Sequence, residues 1–138
     1  MKICVFGAGA VGGHFAAQLA ASGHDVSVIA RGAHLAAIRQ SGLTLLKGER
    51  RIVGQVRAAE DPREIGPVDF VLVTLKATSL SEFADRAAPL LGRETAVVFA
   101  QNGIPWWYAQ GLSAARPAAP GLDALAPGQR GQNGAQAA

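Results

Sequence analysis

The chain has 138 residues, which is enough for one domain and too few for most two-domain enzymes. Because 49% of the residues are hydrophobic and 17% are charged, the chain can bury a core, and wholesale disorder is excluded. The net charge is +3, but the 13 Lys and Arg residues are spread along the chain rather than gathered on one face, so we expect no nucleic-acid partner.

The first thirty residues carry the pattern of a strand, a helix and a second strand. Lys2–Phe6 is short and apolar and stops at a glycine, which is typical of a strand buried on both faces. Apolar residues from Val11 to Leu19 recur at helical spacing until Ser22-Gly23, which ends the helix. Asp25–Ile29 is again rich in valine and isoleucine. These segments predict a βαβ unit with a right-handed crossover.

Strands and helices continue to alternate further along the chain. The patterns predict a helix over Gly32–Gln40, a hairpin or pair of short strands over Leu43–Leu46 and Ile52–Val56, a strand over Asp69–Leu75, a helix over Leu80–Leu91 and a strand over Thr95–Ala100. This alternation predicts an α/β fold, in which a parallel sheet carries helices on both faces.

The composition changes at about Ser113. From there to Ala138 the large aliphatic residues are Leu122 and Leu125, no aromatic residue occurs, and Ala, Gly, Pro and Gln fill most positions. Such a segment cannot offset an ordering entropy of roughly 1–2 kcal/mol per residue. We therefore predict one domain over residues 1–112 and a mostly disordered, low-complexity tail over residues 113–138.

The segment Gly7-Ala8-Gly9-Ala10-Val11-Gly12 is a G-x-G-x-x-G motif placed between the first predicted strand and the first predicted helix. In that position the first glycine allows a tight turn, the second lets a pyrophosphate approach the backbone, and the third lets helix and strand pack closely. The helix N-terminus offers N–H groups and the positive end of its dipole to the anion. A turn that binds nothing would not need all three glycines, so the motif predicts a Rossmann-like dinucleotide-binding domain.

The type of cofactor is indicated at the end of the second predicted strand. NAD-binding domains place Asp or Glu there to accept the ribose hydroxyls, whereas NADP-binding domains offer Arg to the 2′-phosphate. The sequence here is Val28-Ile29-Ala30-Arg31-Gly32, which contains no acid. The planar guanidinium of Arg31 can make charge-assisted bonds to a phosphate. The alternative is an ordinary exposed arginine at a strand end; we favour NADP.

Two further polar residues follow predicted parallel strands, where α/β sheets bind ligands. Lys76 comes directly after Thr74-Leu75, and its ammonium faces either solvent or a ligand phosphate or carboxylate. Asn102 precedes Gly103, so it either forms an ordinary turn or hydrogen-bonds a ligand. The residues alone leave both alternatives open.

Other classes of site and of location are not indicated. Cys4 is the single cysteine and lies in an apolar run, so we expect a packed thiol in a reducing compartment rather than a disulfide or a Cys-rich zinc site. The histidines are scattered singly without partners at ligand spacing, so no metal site is predicted. No signal-peptide core and no apolar run of about 18 residues occurs, which predicts a cytoplasmic protein without a membrane partner.

Together these segments resemble the N-terminal domain of ketopantoate reductases, also called 2-dehydropantoate 2-reductases, over roughly residues 1–112. Besides the glycine motif with Gly13, the matching segments are Lys2-Ile3, Arg31, Gly42-Leu43, Thr74-Leu75-Lys76-Ala77 and Gln101-Asn102-Gly103. The resemblance implies NADPH as hydride donor and ketopantoate, a 2-keto acid, as acceptor in pantothenate and coenzyme A biosynthesis. It further implies that Lys76 and Asn102 bind near the nicotinamide and its ribose, and that Asn102 also reaches the substrate.

The resemblance also implies a helical C-terminal domain that supplies the general-acid lysine, substrate-binding residues and a glutamate at the cofactor. Nothing after Ser113 matches it, and Gly121–Gly128 resembles only the family's next strand and turn, with Ala126 where an aspartate is usual. We therefore expect a truncated or frame-shifted copy that has no catalytic residue of its own and binds NADPH with little or no turnover. A catalytically incompetent NADP(H)-binding module and a poorly folding remnant are the alternatives.

Overall fold

Strands and helices alternate along residues 1–102, the part of the chain that the computed structural model describes. The strands are β1 Lys2–Phe6, β2 Asp25–Ile29, β3 Leu43–Lys47, β4 Arg50–Gly54, β5 Arg57–Ala59, β6 Val68–Val73 and β7 Leu91–Phe99. The α-helices are α1 Ala10–Ala21, α2 Gly32–Ser41 and α3 Leu80–Arg86, and 3₁₀ turns span Pro62–Glu64, Ala77–Ser79 and Ala88–Leu90. The predicted tail, residues 113–138, lies outside the described residues. Within them, no helix is long and apolar enough to cross a membrane.

Five strands form one parallel sheet in the order β5-β2-β1-β6-β7. Phe6 at the end of β1 pairs with Ile29 of β2 on one side and with Val73 of β6 on the other. The carboxyl ends of these three strands therefore meet at one edge, at the point where the strand order reverses. The predicted Rossmann-like α/β fold is confirmed. The β3–β4 pair is an antiparallel hairpin outside this sheet.

The sheet is covered on both faces, as the sequence predicts. Alternate side chains of β1 point to opposite faces, so Cys4 and Phe6 join one buried cluster and Val5 joins the other. Phe6 makes an edge-to-face contact with Phe83 of α3, with ring centroids 5.1 Å apart. On the other face Ala16 of α1 packs in the cluster of Val5. The expected packing of the Cys4 thiol is confirmed, and burial raises the pKa of Cys4 to about 12.

The helix predicted over Leu80–Leu91 is wrong in its second half. The α-helix ends at Arg86, and a 3₁₀ turn over Ala88–Leu90 follows. Pro89 has no N–H to donate and disfavours the α conformation of the residue before it, so the helix cannot continue. Leu91, which the pattern places at the helix end, begins β7 instead.

The edges of the sheet also differ from the prediction. The sequence does not predict β5, because Arg57-Ala58-Ala59 has neither β-branched residues nor apolar alternation; it becomes a strand through pairing with Ser27–Ile29 of β2. The strand predicted from Thr95 begins four residues earlier, at Leu91, and its pairing with β6 shifts register between Val68 and Phe70. Pairing with the neighbouring strand, rather than local propensity, therefore determines which residues form the two edge strands β5 and β7.

Candidate dinucleotide site

The glycine turn between β1 and α1 lies at the carboxyl edge of the sheet. Gly7 has φ +106°, a backbone conformation that favours glycine. The N–H groups of Gly7 and Ala8 both donate to the carbonyl oxygen of Ile29, each at 3.3 Å, which anchors the turn to the end of β2. A Cβ on Gly12 would lie 2.0 Å from the carbonyl oxygen of Gly7, so α1 can approach the turn this closely only with glycine there.

The N-terminus of α1 is open to an anion. Gly9 caps the helix without a side-chain hydrogen bond, and no acidic residue lies in the first turn. The position of a Cβ on Gly9 is empty to beyond 4 Å, and Ala10 and Val11 are exposed. The N–H groups of a first helical turn have no acceptor within the helix, and the positive end of the helix dipole adds to their attraction for an anion.

Thr74, directly after β6, fastens the glycine turn to the sheet. Its hydroxyl donates to the carbonyl oxygen of Gly7 at 2.5 Å, and its N–H donates to that of Phe6 at 3.1 Å. The next side chain, Leu75, lies 2.7 Å from where a Cβ on Gly7 would stand. The sequence pattern marks Thr74 only as part of the segment Thr74-Leu75-Lys76-Ala77. Its position directly after a strand that neighbours β1 is the signal that indicates contact with the turn.

A cavity of about 170 Å³ opens beside this turn. The residues that line it come from the end of β1, the glycine turn, the end of β2, the start of α2, the loop after β5, the segment after β6, and α3. They are Phe6, Gly7, Ala8, Gly9, Ile29, Ala30, Arg31, His34, Glu60, Leu75, Glu82 and Arg86. The fold therefore brings Arg31 together with the first part of the glycine motif, although they are more than twenty residues apart in sequence.

Glu82 of α3 holds Arg31 across this cavity. Its Oε2 accepts from Nη2 of Arg31 at 3.1 Å, and its Oε1 accepts from Nη1 of Arg86 at 2.7 Å. Arg86 in turn donates through Nη2 to the carbonyl oxygen of Glu60 at 2.5 Å. The end of β2 lacks an acid, but the fold supplies a carboxylate to the same place from 51 residues away. Sequence reasoning missed Glu82, because nothing local marks that pairing.

Lys76 and Asn102 are both exposed. Lys76 stands directly after Leu75, and its carbonyl oxygen accepts from the N–H of Ser79 at 2.9 Å at the start of a 3₁₀ turn. Asn102 is the last described residue and lies in a bend. Their roles at the nicotinamide, the ribose and the substrate stay predictions. Within residues 1–102, no cluster of three or more His, Cys, Asp or Glu side chains could hold a metal ion.

The chain is similar to known proteins over this same region. Residues 3–106 match the family described as ketopantoate reductase PanE/ApbA. The chain is 51% identical over 113 residues to a 2-dehydropantoate 2-reductase of Mesorhizobium japonicum, which covers 81% of this chain and 35% of that protein. A solved PanE/ApbA family ketopantoate reductase from Ralstonia eutropha is 36% identical with a TM-score of 0.71, covering 79% of this chain and 36% of that one.

A solved D-mandelate dehydrogenase in ternary complex with NADH and anilino(oxo)acetate is also similar. It is 29% identical with a TM-score of 0.68, and the match covers 76% of this chain and 34% of that one. The chain thus spans about a third of the length of the relatives it matches.

Proposed function

Because the chain belongs to the ketopantoate reductase PanE/ApbA family, we propose that it binds NADPH. It would thereby supply the cofactor half for the reduction of 2-dehydropantoate to pantoate in pantothenate and coenzyme A biosynthesis. The observation that carries the proposal is the presence of Arg31 in the same cavity as the glycine turn. A guanidinium in that place suits the 2′-phosphate that distinguishes NADPH from NADH.

Different residues would contact different groups of the cofactor. The N-terminus of α1 would receive the pyrophosphate beside Gly9, because the backbone there is open and uncapped. Arg31 would bind the 2′-phosphate, and Lys76 and Asn102 would bind the nicotinamide half, with Asn102 also reaching the substrate. Thr74 would keep the turn in place through its bond to Gly7.

Binding and turnover make different demands on the protein. The nicotinamide supplies a hydride to the keto carbon, and the developing alkoxide then needs a proton from a positioned acid in a site that excludes water. The resemblance assigns that acid to a helical C-terminal domain, and it assigns the cofactor to the domain described here. We therefore expect the 138 residues to act as an NADP(H)-binding module without appreciable reduction of ketopantoate.

The binding is tested by fluorescence titration of NADPH and NADH against the full chain. Arg31→Ala should weaken NADPH binding about tenfold or more, since a charge-assisted phosphate contact contributes roughly 1.5–3 kcal/mol, and should leave NADH little changed. Arg93→Ala is the matched control, because Arg93 is 96% exposed and pairs only loosely, at 3.8 Å, with its neighbour Glu94. Unchanged cofactor discrimination in the Arg31 variant would defeat the assignment.

Turnover is tested separately by following NADPH oxidation with ketopantoate. We expect no rate above that of the cofactor alone. A measurable rate would show that the chain holds a proton donor, and would replace the binding-module proposal with that of a complete reductase.

NADH is the second candidate cofactor. Glu82 places a carboxylate 3.1 Å from Arg31, and a carboxylate can accept the ribose hydroxyls of NADH. The related D-mandelate dehydrogenase is in complex with NADH. Tighter binding of NADH than of NADPH in the same titration would favour this candidate.

A further inference from the structure

We propose that Glu82 is a specificity-determining residue of this site, which limits the preference for NADPH over NADH by holding the guanidinium of Arg31. This inference rests on the proposed function, because it concerns how the same cavity chooses between two dinucleotides. Three features of Glu82 support it: its carboxylate is fixed, it binds the arginine proposed for the 2′-phosphate, and it lines the cavity.

The carboxylate of Glu82 is held in place from two sides. One oxygen binds Arg31 at 3.1 Å and the other binds Arg86 at 2.7 Å, while Arg86 is itself tied to the backbone of Glu60. The Glu82 side chain is 26% exposed, compared with 67% for Arg31. Arg31 is thus the more accessible partner, and it is the one that a ligand entering the cavity would draw away.

The two cofactors meet this arrangement differently. The 2′-phosphate of NADPH carries up to two negative charges, so it must share or displace Glu82 at the guanidinium and is repelled by the carboxylate. NADH has a neutral hydroxyl in that position, which can donate a hydrogen bond to the carboxylate. Glu82 therefore lowers the affinity for NADPH and does not lower the affinity for NADH. Because the Arg31 pair is partly exposed and screened by solvent, we expect the penalty to be about two- to fivefold in the ratio of the two affinities.

The test is Glu82→Gln in the full chain, titrated with NADPH and with NADH at low salt. Glutamine removes the charge and keeps the size of the side chain, and its single amide oxygen can still accept a hydrogen bond from one of the two arginines. The preference for NADPH should rise about two- to fivefold over wild type. Glu82→Ala should change the preference in the same direction. Glu94→Gln is the matched control, because it also removes one negative charge. The Glu94 side chain is 93% exposed and lines a separate cavity with the first residues of β1 and β6. This variant should leave the ratio of the two affinities unchanged.

A double-mutant cycle with Arg31→Ala shows whether Glu82 acts through Arg31. In the Arg31→Ala background the same Glu82→Gln change should alter the ratio less than it does in wild type, because only the direct effect of the carboxylate on the cofactor remains; an effect of full size there would overturn the inference. A ratio of NADPH to NADH affinity equal to that of wild type in the single Glu82→Gln variant would also overturn the inference. If Arg31→Ala abolishes the preference while Glu82→Gln does not raise it, the inference alone fails. If the wild-type chain binds neither cofactor, the proposed function fails and the inference fails with it.

Discussion

At the scale of single residues, one hydroxyl does much to fix the candidate site. Thr74 donates to the carbonyl oxygens of Gly7 and Phe6, at 2.5 and 3.3 Å through Oγ1. These bonds join the end of β6 to the turn that would carry the pyrophosphate. A cofactor binds more tightly to a turn that is already in place, because less conformational entropy is lost on binding.

Replacing Thr74 with valine tests this connection. Valine keeps the shape of threonine and removes the donor, so we expect the free energy of unfolding to fall by about 1 kcal/mol and NADPH to bind more weakly. Thr74→Ser, which keeps the hydroxyl, is the control. Urea unfolding and NADPH titration measure the two effects, and equal values for the valine and serine variants would contradict the role of the hydroxyl.

Cys4 gives a prediction about pH. Burial raises the pKa of its thiol to about 12, from an ordinary value of 9.0 in the unfolded chain. Above pH 9 the unfolded chain therefore binds fewer protons than the folded chain, and the free energy of unfolding falls as pH rises towards 12. Below pH 9 the contribution is fully present.

The measurement is the free energy of unfolding of wild type minus that of Cys4→Ala, taken from pH 7 to pH 10.5. Subtraction removes the titration of every other group. The difference should be flat up to about pH 8.5 and should then fall, by at most about 1.4 kcal/mol per pH unit. A difference that stays constant to pH 10.5 would refute the buried, protonated thiol.

At the scale of elements, α1 contains two adjacent glycines with opposite environments. A Cβ on Gly12 would lie 2.0 Å from the backbone oxygen of Gly7, whereas a Cβ on Gly13 would meet Ala8 and Leu43 only at 3.7 and 3.8 Å, which is ordinary van der Waals contact. Gly12 is thus required for the approach of helix to turn, and Gly13 is a glycine in a helix without a steric need for it.

Substitution with alanine separates the two positions. Gly12→Ala should destabilise the protein by more than about 1 kcal/mol, because backbone atoms must move apart. Gly13→Ala should stabilise it by up to roughly 0.5–1 kcal/mol, because alanine loses less backbone entropy in a helix. Urea unfolding of both variants measures the signs, and each serves as the other's control. A loss of stability in both would show that the close approach is not particular to Gly12.

The success of sequence reasoning also varies among elements. It predicts β1 and β2 with the observed bounds, because central parallel strands are continuous apolar runs between clear stops. It fails at β5, where pairing with β2 creates a strand from an unremarkable tripeptide, and at the end of α3, where Pro89 outweighs the helical spacing around it. It also finds the glycine turn, because the role of each of the three glycines depends on its immediate neighbours. It misses Glu82, because its partner Arg31 is distant in sequence.

At the scale of the whole molecule, the candidate site and the stability of the fold depend on the same strands. β1 contributes to the buried clusters on both faces of the sheet, and the turn that follows it begins the candidate site. A ligand that binds this edge of the folded sheet and not the unfolded chain must therefore raise the free energy of unfolding.

Thermal unfolding of the full chain with increasing NADPH tests this linkage without any enzymatic assay. At a concentration one hundred times the Kd, NADPH should stabilise the chain by about 2.7 kcal/mol, which corresponds to a rise in Tm of roughly 10 °C for a unit of this size. The Arg31→Ala variant should need a higher NADPH concentration for the same rise in Tm. The Arg93→Ala variant should show the same dependence of Tm on NADPH as the wild type. The experiment also separates the two alternatives to an active enzyme: a binding module shows the shift, whereas a chain that no longer holds the cofactor keeps the same Tm at millimolar NADPH.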